Sequence, residues 1–372
     1  MAQMIAHARN EPRPPRVSSG QAMRLNLLAP LVLLVTLALP LVAGPTGTLV
    51  VLNKSDASAW LVDPETGARL ASVPTGDGPH EADVTPDGKL AVVTNYGGKT
   101  PGGSLTLIDL AAGTAAGTID LGEHRRPHGV QVLPDGRRAV VTAEASQALL
   151  VVDLVERKVL SAIPTGEKVS HMVAVTPDGK TAFVSSIGSG TVTVIDLAKG
   201  ERTKTVKTGE GAEGIAVTPD GKEIWVGNRA SDTLTVLDAA TLEARRTVPC
   251  AQFPIRLEIS SDGSTLLASN ARSGDVAVFD TKSGTERNRV KMPMAAATTE
   301  GRLFADRFGK SPVPIGLLVP SAGTVAFVAN SNADAVVVFD LGTGAILRTL
   351  PAGAEPDGLA WTPLKPKAAA SR

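Results

Sequence analysis

Cysteine is almost absent from this 372-residue sequence: Cys250 stands alone, so no disulfide can form within the chain. Aromatic residues make up only 3% of the chain, with one tyrosine and three tryptophans. Basic residues are not in excess either, because 33 basic and 36 acidic side chains lie outside residues 1–43. Proteins that bind nucleic acid usually present basic grooves and aromatic stacking surfaces. The composition therefore argues against nucleic acid as a partner.

A long apolar run lies near the N-terminus. Leu25 to Ala43 is almost continuously apolar, Arg24 precedes it and small residues follow it, which is typical of an export signal cleaved after Ala43. The alternative is an uncleaved membrane anchor, because a mainly apolar segment of 19 residues can cross a bilayer. We therefore predict that residues 1–43 are a signal peptide or an N-terminal anchor. The remaining chain is expected to be periplasmic or secreted, and to contact a membrane only through an uncleaved segment.

One strand-like phrase recurs along the chain and ends each time in aspartate, as in SLTLID, TVTVID and DVAVFD. The seven aspartates are Asp63, Asp109, Asp153, Asp196, Asp238, Asp280 and Asp340. Their successive spacings are 46, 44, 43, 42, 42 and 60 residues. A period of about 40–45 residues, built of short strands and turns, is typical of β-propellers. We therefore predict an all-β chain that forms a seven-bladed propeller of four-stranded antiparallel blades.

Turn residues separate the predicted strands. VTPDGK occurs at 84–89, 175–180 and 217–222, and its Asp-Gly pair suits a hairpin because glycine adopts positive φ. The repeated aspartates precede turns such as DPETG and DLAKG, where a short carboxylate accepts hydrogen bonds from backbone N–H groups. We therefore interpret these aspartates as structural rather than as metal ligands.

The two ends of the repeat region are complementary. GTLVVLN at 47–53 matches a second strand, whereas PDGLAWTP at 356–363 matches the first strand of the other repeats. We expect the C-terminal strand to complete the first blade, which closes the ring without an exposed sheet edge. The propeller is thus predicted over residues 44–363, and residues 364–372 are predicted to be a disordered tail.

The first strand of each repeat lines the central channel, and its first residues lie at one mouth. The residues six positions before the proline of each PDG turn, or its equivalent, are Asp357, His80, His128, His171, Glu213, Ile255 and Pro314. Three histidines on adjacent blades, flanked by acids, suit zinc, copper or iron. His80, His128 and His171 are therefore candidate ligands of a transition metal or haem. The alternatives are a polar ligand-binding mouth without metal and purely structural histidines.

A second set of loops on the same face begins with asparagines, for which turn formation is the simplest role. These are Asn53, Asn95, Asn228, Asn270 and Asn330. Arg229 and Arg272 follow two of them, and Arg256 follows Ile255. These arginines can receive a carboxylate or phosphate if they are not simply solvated. Trp60, Trp225 and Trp361 fall within predicted strands, and we expect all three in the core.

The connection between the sixth and seventh repeats, at about 291–313, is about 17 residues longer than the others. It contains Met292, Met294, Phe304 and Phe308 between charged residues. Since it joins an outer strand to the next inner strand, it must cross the mouth. We predict a lid or partner-docking element, or a helix that covers an apolar rim.

The phrases P-H-G-V-x-V-x-P-D-G at 127–136, V-T-P-D-G-K and V-x-N-x-x-S-x-x-x-V-x-V-x-D resemble the repeats of YVTN-family β-propellers. The resemblance covers about residues 46–363. It implies kinship with exported YncE-like bacterial proteins, with propellers associated with quinone-cofactor catabolism and, more distantly, with the haem-binding propeller of cytochrome cd-type nitrite reductases. It implies an extracytoplasmic seven-bladed ring and little common chemistry.

Three functional hypotheses follow. The first is a monomeric, non-catalytic protein whose mouth binds a protein or small-molecule ligand, because the sequence contains no nucleophile–base motif or phosphate loop. The second is a metal- or haem-binding protein associated with redox chemistry, although the absence of C-x-x-C-H excludes covalent c-type haem. The third is a lactonase-like hydrolase with His128 as general base and Arg229 or Arg256 stabilising the anion.

Overall fold

The computed structural model describes residues 46–294, 301–321 and 323–367. Within these residues, 28 strands form seven antiparallel sheets of four strands each. The first strands of neighbouring sheets contact one another, so that the sheets are blades around a common channel. The predicted seven-bladed all-β propeller is confirmed.

The strands are grouped here by their position in the blade. The first, innermost strands of blades 1 to 7 are β28 (Pro356–Thr362), β4 (Pro79–Val84), β8 (Pro127–Val132), β12 (Ser170–Val175), β16 (Ala212–Val217), β20 (Pro254–Ile259) and β24 (Pro314–Leu318). The second strands are β1 (Thr48–Asn53), β5 (Leu90–Gly97), β9 (Arg138–Ala143), β13 (Thr181–Ser186), β17 (Glu223–Asn228), β21 (Thr265–Asn270) and β25 (Val325–Asn330).

The two outer positions complete each blade. The third strands are β2 (Ser58–Val62), β6 (Pro101–Asp109), β10 (Ala148–Asp153), β14 (Thr191–Asp196), β18 (Thr233–Asp238), β22 (Asp275–Asp280) and β26 (Ala335–Asp340). The outermost strands are β3 (Arg69–Pro74), β7 (Thr114–Asp120), β11 (Lys158–Pro164), β15 (Glu201–Lys207), β19 (Ala244–Pro249), β23 (Glu286–Lys291) and β27 (Ile346–Pro351). Short helices are 3₁₀ turns at Glu144–Ser146 and Ser331–Ala333, and α1 at Ala305–Phe308.

The ring closes as predicted. β28 pairs antiparallel with β1, with Leu49 opposite Trp361 and Val51 opposite Leu359, so blade 1 combines the two ends of the repeat region. Residues 364–367, predicted to begin a disordered tail, instead contact the propeller. The Lys365 ammonium lies 2.9 Å from the Asp63 carboxylate, and the Lys367 amide donates to the carbonyl of Ala111. Residues 368–372 lie outside the described residues.

Hydrogen bonds at the repeated aspartates show their structural role. In blade 2, Asp109 Oδ1 accepts the backbone N–H groups of Ala111 and Ala112 at 2.9 and 2.8 Å. Asp196 makes the equivalent pair of bonds to Ala198 and Lys199. The structural interpretation of these aspartates is therefore confirmed at these turns.

The apolar core lies in layers between neighbouring blades. One layer joins Val92 and Leu105 of blade 2 to Val141 and Leu150 of blade 3, all of them fully buried. Alternation along each strand produces this arrangement, because successive side chains point to opposite faces and hence to opposite neighbouring blades. Such layers lie between each pair of successive blades from blade 1 to blade 7.

The three tryptophans, all predicted to lie in the core, differ in burial. Trp225 is fully buried between blades 5 and 6. Trp60 is half-buried, with the Arg69 guanidinium 4.5 Å from its ring centroid. Trp361 is half-buried and lines a cavity at the channel end opposite the mouth. The core prediction is thus confirmed only for Trp225.

The apolar run at 25–43 and residues 295–300 of the insertion lie outside the described residues. Among the residues that the structure does describe, no helix is long and apolar enough to cross a membrane.

Candidate functional site

The predicted mouth residues occupy one structural position in the ring. Except in blade 7, each is the second residue of a first strand, next to an irregularity in the pairing of that strand with its neighbour, as between Pro79 and Ala82 in blade 2. In blade 7 the same irregularity places Pro314 opposite Asn330, as Pro79 lies opposite Asn95. The mouth residue of blade 7 is therefore Ile315, not Pro314 as predicted. The prediction counted six residues back from Pro320 of the degenerate PSAG turn, which is one residue too far.

Buried hydroxyls hold this ring of residues in place. Thr94 donates to the carbonyl of His128 in the next blade at 2.9 Å, and Thr142 donates to that of His171 at 2.6 Å. Ser185 makes the same bond to Glu213, and Ser269 to Ile315. Each bond joins a second strand to the mouth residue of the following blade. These bonds hold the backbone of the mouth residues independently of the contacts that the mouth side chains make.

The mouth encloses a cavity of about 300 Å³. Its wall is formed by His80, His128, His171, Glu213 and Ile315, and by residues that follow the second strands. The insertion before blade 7 covers it, since Phe304, Arg307 and Phe308 also line the cavity. Phe308 is buried against Phe253, Ile255 and Ile315. The insertion thus acts both as a lid and as the cover of an apolar rim.

Two polar contacts attach this lid to the mouth. The Arg302 guanidinium is paired with the Asp334 carboxylate, and the backbone N–H of Leu303 donates to Glu355 at 2.6 Å. Asp334 directly precedes β26 of blade 7, and Glu355 directly precedes β28 of blade 1. The lid is therefore attached on the side of the mouth that faces away from the histidines of blades 3 and 4.

At one side of the cavity, His80 belongs to a network with Asp357 and Lys54. His80 Nδ1 lies 2.8 Å from Asp357 Oδ2, and the Lys54 ammonium lies 3.2 Å from both His80 Nε2 and Asp357 Oδ2. Burial lowers the pKa of His80, although Asp357 opposes this effect. A neutral His80 that donates from Nδ1 and accepts at Nε2 satisfies all these contacts. Within residues 46–294, 301–321 and 323–367, Asp357 Oδ1 has no hydrogen-bond partner.

At the other side, His171 lies between two carboxylates. Its Nδ1 contacts Glu144 Oε1, and its Nε2 lies 3.1 Å from Glu213 Oε1. Burial alone would lower the pKa of His171, but Glu213 and Glu144 outweigh burial and raise it. Tyr96 donates its hydroxyl proton to Glu144 Oε2 at 2.7 Å. His171 is therefore an imidazolium held by two anions.

His128 lies between these two networks and belongs to neither of them. Its ring centroid is 4.0 Å from that of His80 and 3.5 Å from that of His171. Only 1% of the residue is exposed, yet neither Nδ1 nor Nε2 has a hydrogen-bond partner among the residues that the structure describes. Burial, followed by repulsion from His171, lowers its pKa far below the ordinary value. His128 is thus a neutral imidazole with one donor and one acceptor available to a ligand.

Arg256 closes the cavity towards the channel. Its guanidinium bridges Glu81, with Nε 2.8 Å from Oε1, and Glu213, with Nη1 3.4 Å from Oε1. Burial opposes the charge of Arg256, but these carboxylates outweigh burial and raise its pKa. Arg256 also lines a second cavity of about 600 Å³ beyond it, so it separates the mouth from the rest of the channel.

Three guanidinium groups surround the ring of Phe253. Those of Arg229, Arg272 and Arg307 lie 5.1, 5.0 and 4.8 Å from its centroid. Arg229 is paired with Glu213 at 2.6 Å. Within residues 46–294, 301–321 and 323–367, neither Arg272 nor Arg307 has a carboxylate at ion-pair distance. Burial, and then repulsion from Arg229, lowers the pKa of Arg307, which nevertheless stays charged.

The structure brings together most of the predicted site. His80, His128, His171, Glu213, Arg229 and Arg256 line the mouth cavity, and Asp357 contacts His80 behind its wall. Arg272 stacks on Phe253 but does not line the cavity. The three histidines do not form one metal-ligand group among the described residues. They form two overlapping groups, His80–Glu81–His128 and His128–Glu144–His171, each with ligand atoms within 4.8 Å of one another.

Sequence reasoning missed Lys54, Glu81, Glu144, Phe253 and Arg307. A usable signal exists for two of them, because the residue after the second strand forms another ring around the mouth. Lys54 in blade 1, Glu144 in blade 3 and Arg229 in blade 5 hold this position. Tyr96, which follows Asn95, lines the cavity from blade 2. In the sequence, the asparagines that open these loops are the more regular feature, and the residues that follow them vary from repeat to repeat. Asn95 itself is structural, since its Oδ1 accepts the N–H of Gly76.

The cavity also limits which cofactors fit. At about 300 Å³ it lies at the lower end of the range for small-molecule sites. A haem macrocycle is too large for this space beneath the lid. A single metal ion or a small organic molecule fits.

These features define a seven-bladed β-propeller with a lid-covered, charged cavity at one mouth of its channel. The chain belongs to the family described as Lactonase, 7-bladed beta-propeller, whose family model matches residues 47–297. A comparison with curated proteins finds no match.

Two solved structures have the same fold. A protein of unknown function from Desulfotomaculum acetoxidans is 17% identical with a TM-score of 0.70, covering 87% of this chain and 100% of that one. Kuenenia stuttgartiensis hydrazine synthase is 20% identical with a TM-score of 0.64, covering 77% of this chain and 90% of that one. At these identities the likeness concerns the fold alone.

Proposed function

We propose that this propeller is a binding protein whose mouth cavity holds one small organic anion beneath the lid. The observation that carries the proposal is His128, which is buried in the cavity wall without a partner for either ring nitrogen in the described part of the chain. A buried polar group without a hydrogen bond costs about 1–3 kcal/mol. A ligand with a donor and an acceptor removes this cost, so the free protein is arranged for a bound molecule.

The charge of the cavity supports an anion. Four cationic side chains line it: Lys54, Arg229, Arg256 and Arg307. The first three are paired with carboxylates, whereas Arg307 has no such partner among the residues that the structure describes. A carboxylate or phosphate next to Arg307 gains charge-assisted hydrogen bonds and relieves the repulsion from Arg229. Phe304 and Phe308 offer an apolar surface for the remainder of the ligand.

The test is a thermal-shift panel of small carboxylates and phosphate esters on chelator-treated protein, followed by calorimetric titration of the best ligand. Arg307→Gln should weaken its binding at least tenfold, because a charge-assisted hydrogen bond contributes about 1.5–3 kcal/mol. Arg272→Gln is the matched control, since Arg272 stacks on the same ring but lies outside the cavity. We expect a change below about threefold for it. Equal losses in the two variants, or no binder in the panel, would contradict the proposal.

Lactone hydrolysis is a second candidate, favoured by the printed description of the family and by the neutral imidazole of His128. A neutral histidine can act as general base towards water, and the product of lactone opening is a carboxylate, the kind of anion proposed above. Turnover of a panel of sugar lactones that is lost in His128→Gln but kept in His124→Gln would support it. Absence of turnover leaves the binding role.

We also propose that the protein works outside the cytoplasm and is related to exported YVTN-type, YncE-like propellers. The apolar run at 25–43 and the repeat phrases support this. The test is fractionation of the native host with N-terminal sequencing of the recovered protein. An N-terminus at Gly44 in the envelope or medium is expected, and a cytoplasmic protein with an intact N-terminus would refute export.

A further inference from the structure

We propose that His128, Glu144 and His171 bind one divalent transition metal ion, zinc, at the side of the mouth cavity formed by blades 3 and 4. The ligand atoms of these residues lie within 4.8 Å of one another. Two imidazoles and one carboxylate are the protein ligands of many zinc sites that keep one position open. The proposal concerns the metal alone and does not depend on the organic anion.

The ligand atoms can be assigned from the contacts. Glu144 Oε1 and His171 Nδ1 face each other directly, with a proton between them. A zinc ion replaces that proton, and the pair opens to the usual distances of about 2.0–2.1 Å from the metal to nitrogen or oxygen. His128 supplies the third ligand from one of its two unpartnered nitrogens. The ion thus satisfies one of the two unpartnered nitrogens of a residue that is 1% exposed.

The surroundings of the three ligands match those of built metal sites. Metal-bound histidines usually donate their other N–H to a carboxylate, which fixes the ring and increases its basicity. His171 Nε2 has such a partner in Glu213 at 3.1 Å. The ligating carboxylate is likewise held, because Tyr96 donates to Glu144 Oε2 at 2.7 Å. Glu213 is itself fixed by Arg229, so the support extends to blade 5.

The overlapping group of His80, Glu81 and His128 lacks these properties. Arg256 occupies the Glu81 carboxylate, with Nε at 2.8 Å. His80 uses both ring nitrogens, one with Asp357 and the other with Lys54. An ion there would lie next to the Lys54 ammonium and would displace a buried ion pair. The group containing Glu144 is therefore the better metal site.

The remaining coordination position faces the cavity, which His128, Glu144 and His171 all line. A water molecule or an oxygen of a small ligand can occupy it. Zinc would thus place a Lewis acid in a cavity that already contains the Arg229 and Arg307 guanidinium groups.

The experiment is a calorimetric titration of the metal-stripped full chain with Zn²⁺ alone, supported by the visible spectrum of the Co²⁺-loaded protein. We expect one ion per chain and a loss of affinity above 100-fold in His128→Gln and Glu144→Gln. Tyr96→Phe should weaken binding about 10–100-fold, as is usual for a residue that holds a metal ligand. His124→Gln, a histidine near the mouth but outside the cavity, is the matched control and should bind as wild type.

Folding of each variant is checked by its far-ultraviolet spectrum and unfolding curve without metal. A folded His128→Gln or Glu144→Gln protein that binds zinc like wild type would overturn the proposal, as would the absence of stoichiometric zinc binding by wild type. Tetrahedral or five-coordinate Co²⁺ bands that disappear in Glu144→Gln would support it. Because the anion titrations use chelator-treated protein, failure of one proposal is distinguishable from failure of the other.

Discussion

His128 provides an unusual stability prediction: replacing it with methionine should stabilise the ligand-free propeller. Both ring nitrogens lack partners among the described residues, and each unsatisfied buried group costs about 1–3 kcal/mol. Methionine is apolar, of similar size and flexible enough to fill the space between His80 and His171. Allowing for imperfect packing, we expect a net gain of about 1–3 kcal/mol in the free energy of unfolding.

His80→Met is the control, and its effect should have the opposite sign. His80 donates to the fully buried carboxylate of Asp357 at 2.8 Å. Its loss leaves the Lys54 ammonium, at 3.2 Å, as the side-chain partner of that carboxylate among the described residues. We expect a destabilisation of about 2 kcal/mol, in the range for hydrogen bonds to charged groups. The two neighbouring histidines should therefore give opposite changes on the same substitution.

The assay is urea unfolding of metal-stripped protein followed by tryptophan fluorescence, repeated between pH 5 and pH 8. The pKa of folded His128 is lowered, so below about pH 6.5 the unfolded chain binds a proton that the folded protein does not. Wild type should therefore lose stability relative to His128→Met as the pH falls. A destabilised His128→Met protein, or a difference independent of pH, would refute the account of His128 as an unsatisfied neutral imidazole.

Two further predictions concern the support of the site and the ring. Glu213→Gln should lower the free energy of unfolding by about 3 kcal/mol, because it leaves Arg229 without its carboxylate and removes one of the two anions beside His171. The control is Glu243→Gln, at an exposed turn, which should change the free energy of unfolding by less than about 0.5 kcal/mol in the same urea assay. Equal effects of the two substitutions would contradict this prediction. Removing residues 356–372 deletes β28 and exposes the edge of β1, so the chain should become protease-sensitive and aggregate. Removing only residues 368–372 should leave protease resistance and solubility unchanged. A soluble, protease-resistant 1–355 protein would contradict the closure of the ring by β28.

Much of the fold was predictable because the same pattern of strand and turn residues recurs in seven repeats. The Asp-Gly turns, the alternating strands and the matching ends at 47–53 and 356–363 each follow from local chemistry. Errors arose where one copy is degenerate. At PSAG the turn differs from the others, and only the pairing of Pro314 with Asn330 identifies Ile315 as the mouth residue.

The site was predictable in position but not in contacts. A fixed place in the repeat puts His80, His128 and His171 at one mouth, whatever their partners. Which of them is satisfied depends on residues from other blades, such as Glu144 for His171 and Asp357 for His80. No spacing rule links these residues. The isolation of His128 could be found only from the folded chain, whereas a lid was already predicted from the long connection at about 291–313.

The central claim is that the mouth cavity binds a small anion at His128. The most direct measurement is nitrogen NMR of ¹⁵N-histidine-labelled, metal-stripped protein, titrated with the best anion of the panel. With only five histidines in the chain, substitution of each assigns the signals. The account predicts a neutral His128 whose two nitrogen shifts move on binding, with those of His124 unchanged. Anion binding that leaves the His128 nitrogens unmoved would contradict it.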